Sequence, residues 1–69
     1  MRNTFHLLTC ADAARVARLY ALDITPAGIR TAADRAQLPI AARTAGGVRL
    51  FSRDAVVEFA RQRVARRHR

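Results

Sequence analysis

The sequence predicts a mostly helical α+β fold made of three helices and a two-stranded β-hairpin. Helix-start signals precede apolar residues at helical spacing three times, near residues 9–12, 25–29 and 52–56. Two short alternating segments flank Ala45-Gly46-Gly47, which is typical of a hairpin tip. A length of 69 residues allows one small domain, which we expect to span residues 1–69.

Composition limits the classes of protein to which the chain can belong. An apolar content of 51% is enough for a compact core, so we do not expect general disorder. Cys10 is the single cysteine and cannot form an internal disulfide, which favours a reducing compartment. No segment has the length of a signal sequence or a membrane span, so we expect a cytoplasmic protein without membrane contact.

The charge of the chain is strongly positive and is concentrated near the C-terminus. All thirteen basic residues are arginine, five residues are acidic, and the formal net charge is +8. Such a balance suits a polyanionic partner, and arginine is the better planar ligand for phosphate and guanine. Residues 61–69 are interpreted in two ways, either as a loosely ordered basic arm that attracts phosphates or as the exposed end of a helix.

The first helix is predicted to begin after Thr9, whose hydroxyl suits an N-cap. Asp12 places a negative charge at the helix start and lies within reach of Arg15. Asp23 is expected to adopt the left-handed turn that ends the helix. The apolar stripe of this helix consists of Ala13, Val16, Ala17 and Tyr20.

The second helix is predicted over residues 25–36. Thr25 suits the N-cap and Pro26 the first helical position, while Ile24 and Ile29 form a hydrophobic staple. Gly28 lowers helix stability by roughly 0.5–1 kcal/mol, and we interpret it as permitting close approach of the backbone to a ligand. The residues expected to face the core are Ile29, Ala32, Ala33 and Ala36.

A hairpin over residues 40–51 and a third helix are predicted to complete the fold. Leu38-Pro39 ends the second helix, and Arg43 and Arg49 lie near the hairpin tip with little around them to pair with. Ser52 is expected to cap the third helix. The apolar residues of that helix are Val56, Phe59, Ala60 and Val64.

The order and spacing of these segments resemble the excisionase-type members of the MerR superfamily, which are small winged helix-turn-helix DNA-binding proteins. The shared features are the helix start Thr25-Pro26-Ala27-Gly28-Ile29-Arg30, the Leu38-Pro39 exit, the stretch Arg43 to Ser52 and the helix start Asp54-Ala55-Val56. The resemblance covers residues 8–60. The chain departs from the family at Ala36, where family members usually carry glycine.

The resemblance implies a sequence-specific regulator that binds double-stranded DNA. The second helix would enter the major groove, and the hairpin, or wing, would lie on the adjacent groove or backbone. The predicted DNA-binding residues are Thr25, Ala27, Gly28, Arg30, Thr31, Arg35, Arg43, Thr44, Gly46, Gly47 and Arg49. Two alternatives stay open, namely an excision factor that bends DNA and a basic module for an acidic protein partner.

Other kinds of function are not expected. The carboxylates show no paired spacing for acid–base catalysis, and no nucleophile motif or phosphate-binding loop is present, so we expect no enzyme activity. No metal site and no cofactor are expected, because Cys10 has no second cysteine and His6 and His68 lie near opposite ends. The chain has no room for an effector pocket or a long coiled coil, so we expect copies to meet head to tail on DNA, with possible integrase or RNA polymerase contacts.

Overall fold

The computed structural model describes residues 7–67, which form three helices and a two-stranded antiparallel hairpin. This arrangement confirms the mostly helical α+β class. The element bounds are α1 Cys10–Leu19, α2 Pro26–Asp34, β1 Ala42–Arg43, β2 Arg49–Leu50 and α3 Arg53–Arg67.

The three predicted N-caps are confirmed. The hydroxyls of Thr9 and Thr25 each accept a hydrogen bond from the backbone N–H three residues ahead, at 3.2 and 3.1 Å. The Ser52 hydroxyl does the same at 3.1 Å. The predicted pair of Asp12 and Arg15 is present as an exposed contact at 3.5 Å. Local chemistry therefore defines where each helix begins.

The predicted helix ends were wrong in two details. The left-handed residue after α1 is Ala21 (φ 69°) and not Asp23, and α2 ends at Asp34 because Ala36 also turns left-handed (φ 60°). Ala36 is consequently exposed and is not part of the core. In both turns the N–H of the alanine donates to the carbonyl three residues earlier, and the next N–H donates to the carbonyl five residues earlier. These paired bonds form Schellman motifs, which satisfy the last carbonyls of each helix.

The core lies around α1, which packs against both α2 and α3. Ala13, Ala14 and Ala17 of α1 are completely buried, and their small side chains let the neighbouring helices approach closely. Tyr20 and Val64 are half-buried at the edge of this cluster. The largest fully buried side chains are Phe51, Ile29, Leu38 and Val56.

The hairpin is shorter than predicted, and each strand contains only two residues. Ala42 pairs with Leu50 and Arg43 with Arg49. Thr44 closes the turn, because its N–H donates to the Val48 carbonyl at 2.9 Å and its Oγ1 accepts from the Val48 N–H at 3.1 Å. Leu8 forms an antiparallel bridge with the buried Phe51. The bridge extends the pairing beyond β2 and ties the start of the described chain to the hairpin.

Of the two interpretations of the basic C-terminal segment, the helix end is confirmed for residues 61–67 and the loosely ordered arm is wrong there. These residues are helical, since α3 continues to Arg67. Arg63 is held against the core, because its Nη2 donates to the Gln37 side chain at 2.8 Å and its guanidinium lies 4.8 Å from the Phe59 ring centroid. Phe5, His6, His68 and Arg69 lie outside the described residues.

The left-handed alanine after α2 predicts a stabilising substitution. A left-handed conformation costs alanine roughly 1–2 kcal/mol, whereas glycine loses only about 0.5–1 kcal/mol more chain entropy on folding. Ala36→Gly should therefore raise the free energy of unfolding by about 0.5–1 kcal/mol and raise Tm by about 3–6 °C in a thermal melt.

Ala65→Gly is the matched control, because Ala65 is an exposed alanine within α3. This variant should lower stability by up to about 1 kcal/mol. If Ala36→Gly lowered Tm in the same way, the left-handed turn after α2 would be wrong.

Candidate nucleic-acid interface

The predicted site residues of α2 with outward side chains lie on the exposed face of this helix. Ile29 is completely buried and fixes the rotation of the helix about its axis. The outward side chains of the predicted site on this element and its cap are Thr25, Ala27, Arg30, Thr31 and Arg35, all exposed.

A concave groove, called the hairpin groove below, runs between the start of α1, Arg30 of α2 and the hairpin tip. Residues 9–11 line it on the helix side, and residues 46–49 line it on the hairpin side. None of its lining residues is acidic, whereas two are arginines. Such a surface suits an anion more than a neutral or cationic ligand.

The groove brings together only part of the predicted site. Arg30, Gly46, Gly47 and Arg49 line it together. The predicted residues that do not line it are Thr25, Ala27, Gly28, Thr31, Arg35, Arg43 and Thr44. Sequence reasoning missed the start of α1 (residues 9–11) and the exposed Val48 as wall residues, because their proximity to Arg30 arises only from tertiary packing.

The three threonines of the predicted site all have partners within the fold. The hydroxyls of Thr25 and Thr44 accept the capping and turn hydrogen bonds described above. The Thr31 hydroxyl donates to the Ala27 carbonyl at 3.1 Å, a bond within α2 that competes with outside partners. The Thr31 hydroxyl therefore uses its donor within α2, whereas the hydroxyls of Thr25 and Thr44 accept local bonds and keep an O–H donor for a ligand.

Arg49 does not fit the expectation of an arginine with little around it to pair with. Its Nη2 donates to Asp34 Oδ1 at 2.8 Å, which joins the hairpin to the last turn of α2. Arg30 and Arg43, by contrast, have no carboxylate within 4.0 Å among residues 7–67. Asp34 and Arg49 stand fifteen positions apart in sequence, and no local pattern indicates that they meet.

Gly28 has a structural role that was not predicted. A Cβ at this position would lie 2.6 Å from Cγ1 of Ile24, a distance that real side chains do not tolerate. Ile24 is half-buried against the core, so it has little freedom to move aside. The missing side chain therefore makes room for the residue that precedes the N-cap, and close approach of an outside ligand is not needed to explain the glycine.

Residues 7–67 contain neither a metal-binding cluster nor a membrane-spanning helix. No group of three or more histidine, cysteine, aspartate or glutamate side chains in this range could hold a metal ion. Over the same residues, no helix has the length and apolar character that crossing a membrane requires.

Comparisons with known proteins do not place the chain in a family. No family model, no curated protein and no solved structure matches it. What the chain can bind is therefore inferred from its own charge and geometry.

The contact at Gly28 predicts that Gly28→Ala destabilises the protein. Alanine would gain about 0.5–1 kcal/mol of helix propensity, but overpacking against Ile24 typically costs about 1–3 kcal/mol. We expect a lower midpoint in urea unfolding.

The same substitution in an Ile24→Ala background separates packing from propensity. With the neighbouring side chain truncated, Gly28→Ala should raise stability by about 0.5–1 kcal/mol. A stabilising effect in both backgrounds would contradict the packing role of Gly28.

Proposed function

We propose that the chain is a sequence-specific double-stranded DNA-binding protein, a small transcription regulator of the winged helix-turn-helix, MerR/excisionase type. In this proposal α2 enters the major groove and the hairpin contacts the adjacent backbone or minor groove. A protein of this kind acts on cytoplasmic DNA. An excision factor would use the same surface, so the proposal covers both roles.

The observation that carries the proposal is the acid-free hairpin groove. The tip of the hairpin and the exposed face of α2 meet at this groove, and each contributes one arginine to it. A duplex presents phosphates on either side of a groove, so one helix and one neighbouring loop can engage the two together. A net charge of +8 on 69 residues supplies long-range attraction to that polyanion.

The order of elements also supports this class of DNA-binding protein. α1 and α2 pack against each other across a six-residue connection, 20–25, and the hairpin is the next element after α2, beyond residues 35–41. Arg30 is the fifth of the nine residues of α2, about one turn after its start, and the N-terminal turns of a recognition helix are those whose residues reach base edges. Arg35, at the far end, is better placed for phosphate than for bases.

The arginines of α3 are a second source of attraction. Arg61, Arg66 and Arg67 are exposed and have no ion pair among residues 7–67. Because they lie outside the hairpin groove, we assign them non-specific attraction to phosphate and no role in reading sequence.

Arg30→Ala should weaken binding to a duplex selected from a random-sequence pool. Loss of one direct contact removes about 1–3 kcal/mol, which corresponds to at least fivefold in Kd. Arg43→Ala should also weaken binding, but nearly equally for selected and random duplexes. Fluorescence anisotropy titration measures both.

Arg18→Ala is the matched control for these variants. It removes the same charge from an exposed site on α1 that does not line the hairpin groove. If Arg18→Ala and Arg30→Ala weakened binding to the selected duplex equally, the helix-plus-hairpin surface would be the wrong one.

The affinity should depend steeply on salt. Neutralising four to six phosphates gives a slope of about −4 to −5 for log affinity against log salt. Replacing Arg61, Arg66 and Arg67 by glutamine should reduce the slope and the affinity while leaving the preference for the selected duplex intact. Substitution is preferable to deletion here, because deletion would also remove Arg63 and Val64, which pack on the core.

An affinity that does not change with salt would contradict DNA binding. It would favour a protein partner in which few counterions are released. If the glutamine variant keeps its preference for the selected duplex, the three replaced arginines attract phosphate and do not recognise bases.

A further inference from the structure

One ion pair joins the hairpin to α2 beside the hairpin groove. Arg49 Nη2 donates to Asp34 Oδ1 at 2.8 Å, and the two side chains are 26% and 53% exposed. Among residues 7–67 this is the one hydrogen bond between the hairpin and α2. The pair is therefore placed to determine where the hairpin tip stands relative to the helix.

The hairpin contains a like-charge pair that Asp34 offsets. Arg43 and Arg49 are direct cross-strand partners, so their side chains leave the same face of the hairpin. Like charges directly opposite one another destabilise such a pairing. The Asp34 carboxylate is the acidic group that contacts either of them in the described chain, and it contacts Arg49.

Asp34 is also the polar anchor of the Arg49 guanidinium. The Nε atom of Arg49 is buried and has no hydrogen-bond partner among the described residues. Buried donors without partners are rare, because each one carries the cost of lost hydration. Without Asp34, the guanidinium would have no hydrogen bond in residues 7–67 that holds it against the hairpin groove.

We propose that Asp34 is a positioning residue for DNA binding, which holds Arg49 and the hairpin tip beside Arg30 without touching DNA itself. This inference rests on the proposed function. It also predicts the direction in which loss of the Asp34 carboxylate changes the affinity for DNA. A carboxylate near phosphates repels them, so charge alone predicts that removing it tightens binding. If Asp34 positions Arg49, removal of the carboxylate should weaken binding instead.

The test compares Asp34→Asn with Asp23→Asn in the full chain. Both variants raise the net charge by one, and Asp23 is an exposed carboxylate with no ion pair in residues 7–67. Each is titrated against a random-sequence duplex pool at fixed salt. Asp34→Asn should weaken binding by about three- to fivefold, whereas Asp23→Asn should leave it unchanged or tighten it.

Dependence on Arg49 separates positioning from general damage to the fold. In an Arg49→Ala background, Asp34→Asn should no longer weaken binding and, like Asp23→Asn, should leave it unchanged or tighten it, because the side chain that Asp34 positions is gone. Tighter binding by Asp34→Asn in the chain that retains Arg49, or equal weakening with and without Arg49, would overturn the proposal.

A measurement without DNA keeps this inference distinct from the proposed function. Residual dipolar couplings of the backbone N–H groups in residues 42–50 should fit the same alignment as the helices in the wild type. In Asp34→Asn they should shrink, while the hydrogen bonds between Thr44 and Val48 persist. Unchanged couplings would overturn the positioning role. Reduced couplings in a chain that binds no duplex would refute the proposed function and support the link between Asp34 and the hairpin.

Discussion

The placement of the hairpin depends on Phe51, the first residue after β2. Its side chain is completely buried, and its backbone exchanges two hydrogen bonds with Leu8, at 2.7 and 2.8 Å. Ser52, which caps α3, follows directly. Phe51 thus links the start of the described chain at Leu8, the base of the hairpin and the start of α3 at one point. The short strands could not do this alone, because an isolated two-stranded hairpin is marginal in water.

Sequence reasoning succeeded where a feature depends on neighbouring residues and failed where it depends on distant ones. Thr9, Thr25 and Ser52 were identifiable as caps because a hydroxyl and an N–H three residues ahead are sufficient for the motif. The left-handed residue after α1 was assigned to Asp23, and α2 was predicted two residues too long, because Ala21 and Ala36 occupy positions where glycine would have signalled a left-handed turn. Alanine gives no such signal.

The candidate site divides in the same way. Exposure of Arg30 and Arg35 follows from helical periodicity once Ile29 is known to face the core. The hairpin groove could not be predicted, since it joins the start of α1 to a hairpin some thirty-five residues later. Nor could the pairing of Asp34 with Arg49 be predicted, because their meeting depends on the angle between α2 and the hairpin.

Four of the described arginines illustrate two situations that differ in what the side chain can offer a ligand. Arg49 and Arg63 hold parts of the fold together, through a carboxylate and through an amide and an aromatic ring. Arg30 and Arg43 have no ion pair within residues 7–67 and keep their full charge for an outside partner. The count of thirteen arginines therefore overstates the number of cations that are free to contact a ligand. Because Arg49 is paired and Arg30 is not, the hairpin groove combines a fixed cation with a free one. A fixed cation loses little conformational entropy on binding, and a free one can adapt to the ligand.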